Sequence, residues 1–195
     1  FNRVSLARRG TVKFSSAGSV TINNRNTSFG KVEFAGPGTF NIAAGNTINS
    51  AANSFSVAGR VKITQGTINP SAGTFFVGGD FIRTGGNYGL AGVVAFNSTG
   101  TQTISGASLN NVQFLGAGST KITSGNVSFA GTTTMVNDGI TLSAQPGSVI
   151  TFGGNVSMSS SGSTFDVGNS VHLFNGATWS SDGINILGGG SVQFN

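Results

Sequence analysis

Short runs of alternating apolar and polar residues, each followed by a glycine-containing turn, recur along the whole chain. An anchor of the Val/Ile-x-Phe type falls at Phe14, Phe34, Val57, Val77, Phe96, Phe114, Phe129, Phe152, Phe174 and Phe194. Most steps are roughly 20 residues, at the short end of the periods that mark repeat architectures. The step from Phe114 to Phe129 is shorter. A second run often follows within a few residues: Val20-Thr21-Ile22, Phe40-Asn41-Ile42, Val61-Lys62-Ile63, Thr103-Ile104, Lys121-Ile122 and Val156-Ser157-Met158. A period of two puts alternate side chains on one face and marks a half-buried strand. Val, Ile, Phe and Thr fit such pleated surfaces. Apolar residues at helical spacing are always interrupted by glycine, and good helix formers are scarce.

Two all-β architectures fit such a pattern, a hairpin-paired sandwich and a solenoid. Like residues at like places in a fixed short period favour the solenoid, because a single coil cannot bury its inward face and a stack of coils can. The expectation is an all-β, parallel β-solenoid (β-helix) of about ten coils with a ~20-residue period. Right-handed winding follows from the general bias of parallel crossovers. Ten coils at strand spacing make a rod of about 50 Å. The Phe anchors are expected to form an internal ladder of packed rings.

A longer repetition is superposed on the short one. Phe81, Gly86, Gly92 and Val94–Asn97 are echoed by Trp179, Gly183, Gly189 and Val192–Asn195. Leu109–Phe114 echoes Phe1–Leu6, and Gly118–Ile122 echoes Gly10–Phe14. The chain therefore reads as one continuous solenoid over 1–195, with a first long repeat at 1–108 and a second at 109–195. The ends look like ordinary coils with no polar cap, as if cut from a longer array or built to meet another chain. Uncapped strand edges invite pairing. The candidate self-assembly residues are Phe1, Asn2, Arg3, Val4 and Leu6 at one end, and Val192, Gln193, Phe194 and Asn195 at the other.

Composition narrows the function classes. Charged residues make up 8% of the 195, against about 25% in ordinary domains, while 37% are hydrophobic and 16 are Phe. So much apolar content argues against a disordered coil. There is no Cys, which excludes disulfide stapling. No apolar run is long enough to span a membrane as a helix, and neither a signal peptide nor an initiator Met is visible, so the chain reads as a mature form or an excised segment. The net charge of +5 is uneven: residues 1–83 carry nine basic and two acidic residues, residues 84–195 one basic and three acidic. In an elongated molecule that opposes the sign of the two ends and favours head-to-tail contact.

Candidate chemistry is sparse. The one histidine, His172, lies in a strand-like run and reads as a surface residue. There is no Cys/His set for zinc and no nucleophile–base–acid set. Asp80, Asp138, Asp166 and Asp182 are too scattered in sequence for a glycosidase pair. Gly116–Lys121 lacks the phosphate-loop order. Arg8 and Arg9 have no interleaved aromatics to support nucleic-acid binding. Tyr88 and Trp179 could stack on sugars, but their places in the long repeat assign them to cores or corners. Asn26, Asn97, Asn126 and Asn155 sit in glycosylation sequons that such a composition produces by chance. No catalytic residue, metal or cofactor is expected, nor a nucleic-acid partner or membrane span.

The run Phe96–Gly106, continued by Leu109–Val112, together with Gly79-Asp80-Phe81 and Ser124–Phe129, resembles repeats of bacterial secreted and surface β-solenoids of the filamentous-haemagglutinin-like and autotransporter-passenger-like kind. The resemblance covers most of the chain, is largely compositional, and implies an extracellular, cell-surface, elongated structural or adhesive role without catalytic residues. The leading expectation is a non-enzymatic subunit or segment of an extracellular filament that assembles with itself end to end. The alternative is an adhesin-type module binding glycans or surfaces through an outer side-chain ladder. Ice binding ranks low there, because Thr101, Thr103 and Thr132–Thr134 are clustered in sequence rather than periodic. A carbohydrate-active enzyme ranks last.

Overall fold

A computed structural model describes residues 10–23, 28–43, 54–69, 73–89, 92–158, 160–176 and 178–195. Among them every regular element is a strand, and every strand pairing is parallel. Three strands make one coil, and successive coils stack strand on equivalent strand. The result is a three-sided β-solenoid of eight complete coils and a ninth level with two strands.

The first strand of each coil builds face one, a nine-stranded sheet: Thr11–Phe14, Lys31–Phe34, Val61–Ile63, Phe81–Arg83, Thr101–Ser105, Thr120–Ser124, Thr141–Ala144, Thr164–Asp166 and Asn185–Leu187. The third strand builds face three, an eight-stranded sheet: Ser28–Phe29, Ser54–Val57, Thr74–Val77, Val93–Phe96, Asn111–Phe114, Thr133–Met135, Val156–Ser157 and Trp179–Ser180. The second strand builds face two, which is divided. Ser19–Asn23, Thr39–Ala43, Thr67–Asn69 and Asn87–Tyr88 form one sheet. Ser108–Leu109, Asn126–Phe129, Val149–Phe152, Val171–Phe174 and Ser191–Phe194 form another.

The short period holds along the stack but is not constant: one rung pairs Thr101 with Thr120, whereas another pairs Val32 with Val61 across a much longer coil. The tally of ten coils is corrected to eight and a partial ninth. The anchors do not share one face, and that is why they overcount. Phe14 and Phe34 lie on face one, Val57, Val77, Phe96 and Phe114 on face three, and Phe129, Phe152, Phe174 and Phe194 on face two. The second coil carries both Phe34 and Val57 and is counted twice. The short step from Phe114 to Phe129 is the second change of face.

The expected ladder of rings is accordingly a spine that winds between faces. Phe29, Phe55 and Phe75 follow one another at 5.2 and 5.1 Å between centroids. Tyr88 then packs on Phe75 and Phe81, and Phe81 leads to Phe96, Phe114, Phe129 and Phe152 at 5.6–6.1 Å. Phe152 stacks on Phe174 at 4.6 Å, and Phe174 on Phe194 at 5.2 Å. Stacked, tilted and edge-on pairs alternate, the offsets that ring quadrupoles favour. Tyr88 is a core residue here, in line with its place in the long repeat.

The long-repeat echoes do not occupy equivalent places. Val94–Phe96 lies on face three and Val192–Phe194 on face two. Lys13 points outward and is exposed, whereas its echo Lys121 points inward and is buried. Phe1–Leu6 lies outside the described residues.

Corners are tight enough to dictate composition. A Cβ on Gly176 would lie 1.9 Å from the Gly154 carbonyl oxygen, and one on Gly154 would lie 2.4 Å from backbone atoms of Gly131. Stacked coils leave no room for a side chain in that column. Truncating the fully buried Phe114 to Ala is expected to cost about 3–5 kcal/mol, because it removes a ring and leaves a cavity. Phe76→Ala, at a half-buried outward position of the same face, should cost well under half as much. Denaturant titration of the two variants checks the contrast.

Candidate functional site: the open tip and two buried polar stations

The inward columns run out to an exposed surface at the last described level. On face one the column Lys121, Leu142, Phe165 closes with Ile186. On face two, Ile150 and His172 lead to Val192, and Phe152 and Phe174 lead to Phe194. On face three, Thr133 and Val156 lead to Trp179. One coil further in, these columns are sealed, with Phe165 at 0% and Phe174 at 4% exposure. At the tip Ile186 is 53% and Phe194 65% exposed, and Trp179 and Val192 are half-buried. The rings remain ordered against one another: Trp179 lies 4.1 Å from Phe174 and 5.0 Å from Phe194.

The structure thus brings Val192 and Phe194 to this tip and adds Trp179 and Ile186, which sequence reading missed as tip residues. Gln193 faces outward and bonds Ser191 Oγ at 3.3 Å. Asn195 continues an asparagine ladder, donating from Nδ2 to Asn175 Oδ1 at 2.8 Å, while its N–H bonds Phe174 O at 3.0 Å. Phe1, Asn2, Arg3, Val4 and Leu6 lie outside the described residues. In the first described coil Val12, Phe14 and Val20 are half-buried, and Lys13 is exposed beside them. At the other tip the exposed charge is Asp182.

Among the described residues, two stations in the interior hold buried bases. Gln102 and Lys121 share adjacent rungs of the inward column of face one. The Lys121 ammonium donates to Ser98 O at 2.7 Å and Gln102 Oε1 at 3.0 Å. Gln102 Nε2 donates in turn to the carbonyls of Val77 and Gly79. No carboxylate pairs with Lys121 among the described residues, where the one ion pair is Lys62–Glu33 at 3.6 Å. Burial therefore lowers the Lys121 pKa to about 8.

The second station corrects the reading of His172 as a surface residue. Its ring is buried on face two, packed edge-on against Phe165 at 4.8 Å and stacked on Phe152 at 6.4 Å. Nε2 shares a 2.7 Å hydrogen bond with Ser170 Oγ, and Nδ1 has no partner. Burial lowers its pKa to about 4, against a smaller opposing pull from Asp166. Asp166 is itself engaged by the Gly168 N–H and the Ser143 hydroxyl, and Ser170 is sealed from solvent. Ser170 and His172 therefore have no access to a substrate.

Among the described residues, the outer side of face one holds a regularity that the sequence hid. Thr101, Thr120, Thr141 and Thr164 stand in register on face one, one rung apart. The neighbouring outward column is mixed: Thr103, Ile122, Ser143, Asp166 and Leu187. Among the described residues no three His, Cys, Asp or Glu lie together, and no helix is long and apolar enough to cross a membrane. No protein-family model matches the chain, and no curated protein or solved structure is detectably similar to it.

The two buried bases tie stability to pH in the same sense, in two different windows. Between about pH 6.5 and about 4 only the unfolded chain protonates His172, so stability falls as pH falls through that window and levels off below it. His172→Ile, matching Ile150 one rung away, should flatten that decline, as read from urea midpoints at pH 7 and below 5. For Lys121 the sign is the same and the window is higher: between pH about 8 and 10.5 the folded chain has lost the proton and the unfolded chain keeps it. Stability should rise with pH across that range and should not do so in Lys121→Met.

Proposed function

We propose that this chain is a structural segment of an extracellular filament or adhesive fibre that joins like to like through its solenoid tips. One observation carries the reading: Ile186, Val192, Phe194 and Trp179 occupy inward core columns, yet stand exposed or half-buried. The strands that carry them also have edge groups facing away from the stack, which template a further parallel strand. A second copy suits this surface. It offers strands of the same parallel spacing, and its first described coil presents Val12, Phe14 and Val20 half-buried.

Charge supports a head-to-tail sense. Basic residues concentrate toward the first coils and acidic ones toward the last, so like tips repel and unlike tips attract. The mechanism is mechanical: ladders of backbone hydrogen bonds run along the rod axis, and the aromatic spine keeps water out of them. The resemblance to secreted surface solenoids agrees with this reading and supplies the extracellular setting.

A second reading is favoured by one feature only. The in-register threonines of face one make a repeating hydroxyl row suited to a regular ligand such as a glycan chain, which would make the rod an adhesin. The mixed column beside it leaves that row one residue wide, and so filament formation stands first.

Concentration-dependent sedimentation and electron microscopy of the purified chain test the proposal. Filaments or end-joined oligomers are expected, weakening at high salt. Ile186→Asp combined with Phe194→Asp should leave folded monomers with an unchanged circular dichroism spectrum. A wild-type chain that stays monomeric at the highest attainable concentration, or a double variant that assembles as well as wild type, overturns it. Binding to a glycan panel without assembly promotes the second reading.

A further inference from the structure

The fourth and fifth coils meet at a junction unlike any other in the rod. The ladder of face two stops there: Asn87–Tyr88 ends one sheet and Ser108–Leu109 begins the next. The second sides also differ in length: nine residues separate Arg83 on face one from Val93 on face three in the fourth coil, whereas five separate Ser105 from Asn111 in the fifth. The two second sides do not pair.

Face one is weakened at the same level. The step from Phe81–Arg83 to Thr101–Ser105 is registered as Phe81↔Ile104 and Ile82↔Ser105 alone. The next step keeps register all the way from Thr101↔Thr120 to Ser105↔Ser124. Face three alone runs through fully paired, from Val93↔Asn111 to Phe96↔Phe114.

Side chains bridge where the backbone does not. Arg83 donates from Nε to Gly86 O at 2.8 Å in its own coil and from Nη1 to Gly106 O at 2.9 Å in the next. At the opposite corner Asp80 Oδ1 accepts the Thr103 N–H at 2.8 Å. Gln102 Nε2 reaches back to the Val77 and Gly79 carbonyls. The Tyr88 hydroxyl, on the last strand before the division, is buried without a hydrogen bond. Opening the junction would hydrate it, which offsets part of the cost of opening.

We propose that this junction is a built-in hinge. The rod consists of two stiff blocks, the first four coils and the remainder, which share face three as the hinge line and part along face two. Arg83 is the strap that holds the division closed, with Asp80 and Gln102 latching the far corner. Single side-chain bonds yield more readily than a continuous ladder, so bending and local opening concentrate here. A fibre under load would flex at this level before any coil unravels. The inference concerns a single chain and does not depend on assembly at the tips.

Amide hydrogen exchange on the tip-blocked monomer, Ile186→Asp with Phe194→Asp, tests it. The amides of Thr103 and Ser105, which alternate toward the fourth coil, should exchange at least about tenfold faster than those of Val61–Ile63 and Thr120–Ser124, at the low-stability end of the molecule. Arg83→Met should widen that ratio by about tenfold again while leaving the flanking strands unchanged. Arg60→Met, an exposed control in the first block, should leave the ratio as it is. Uniform protection across the junction, or an Arg83→Met profile equal to that of the parent, overturns the hinge. If Arg83→Met does not fold, the comparison within the parent protein still decides.

Discussion

In this fold the backbone hydrogen bonds of a strand leave its own coil. Each coil satisfies the one before and the one after, so no coil is complete by itself and the stack has no natural last member. Everything else follows from that constraint. Corners must bring chains to strand spacing, which empties the Gly131–Gly154–Gly176 column of side chains. Inward residues must repeat in kind, because each is the floor of the next. The final rung presents a core cross-section to whatever lies beyond.

The interior meets this demand with aromatic rings more than with strict identity. A ring tolerates stacked, tilted and edge-on neighbours, so the spine can pass from face three through Tyr88 and Phe81 and back without losing contact. The two buried bases each find a polar neighbour. Lys121 and Gln102 sit at a corner that supplies backbone carbonyl oxygens, and His172 has Ser170 beside it. In each case burial favours the uncharged form, so the molecule carries its bases neutral or weakly basic inside an apolar column.

At one level the face-two stack divides. The rod loses its face-two ladder between the fourth and fifth coils, and Arg83 bridges that level with two charge-assisted hydrogen bonds. In the proposed fibre, tension passes through the weakest level of the rod. A strap of this kind sets that level in the middle of the chain, away from the exposed tips.

Alternation of apolar and polar residues with glycine punctuation determined by itself that this chain forms strands, that they stack with a short recurring period, and that Val192 and Phe194 belong to an inward face. Those are local matters, decided by which side of a pleat a residue occupies and by how often a turn recurs. Which of three faces an anchor joins was decided only in the tertiary structure, because variable corner lengths let Phe114 and Phe129 carry one motif on different sides. The same reason hid the threonine row, whose members lie a whole coil apart at unequal intervals and align only once the coils are in register. It also separated Lys13 from Lys121, alike in sequence and opposite in direction. Register is a relation between coils, and the number of residues spent at each corner, summed along the stack, sets it.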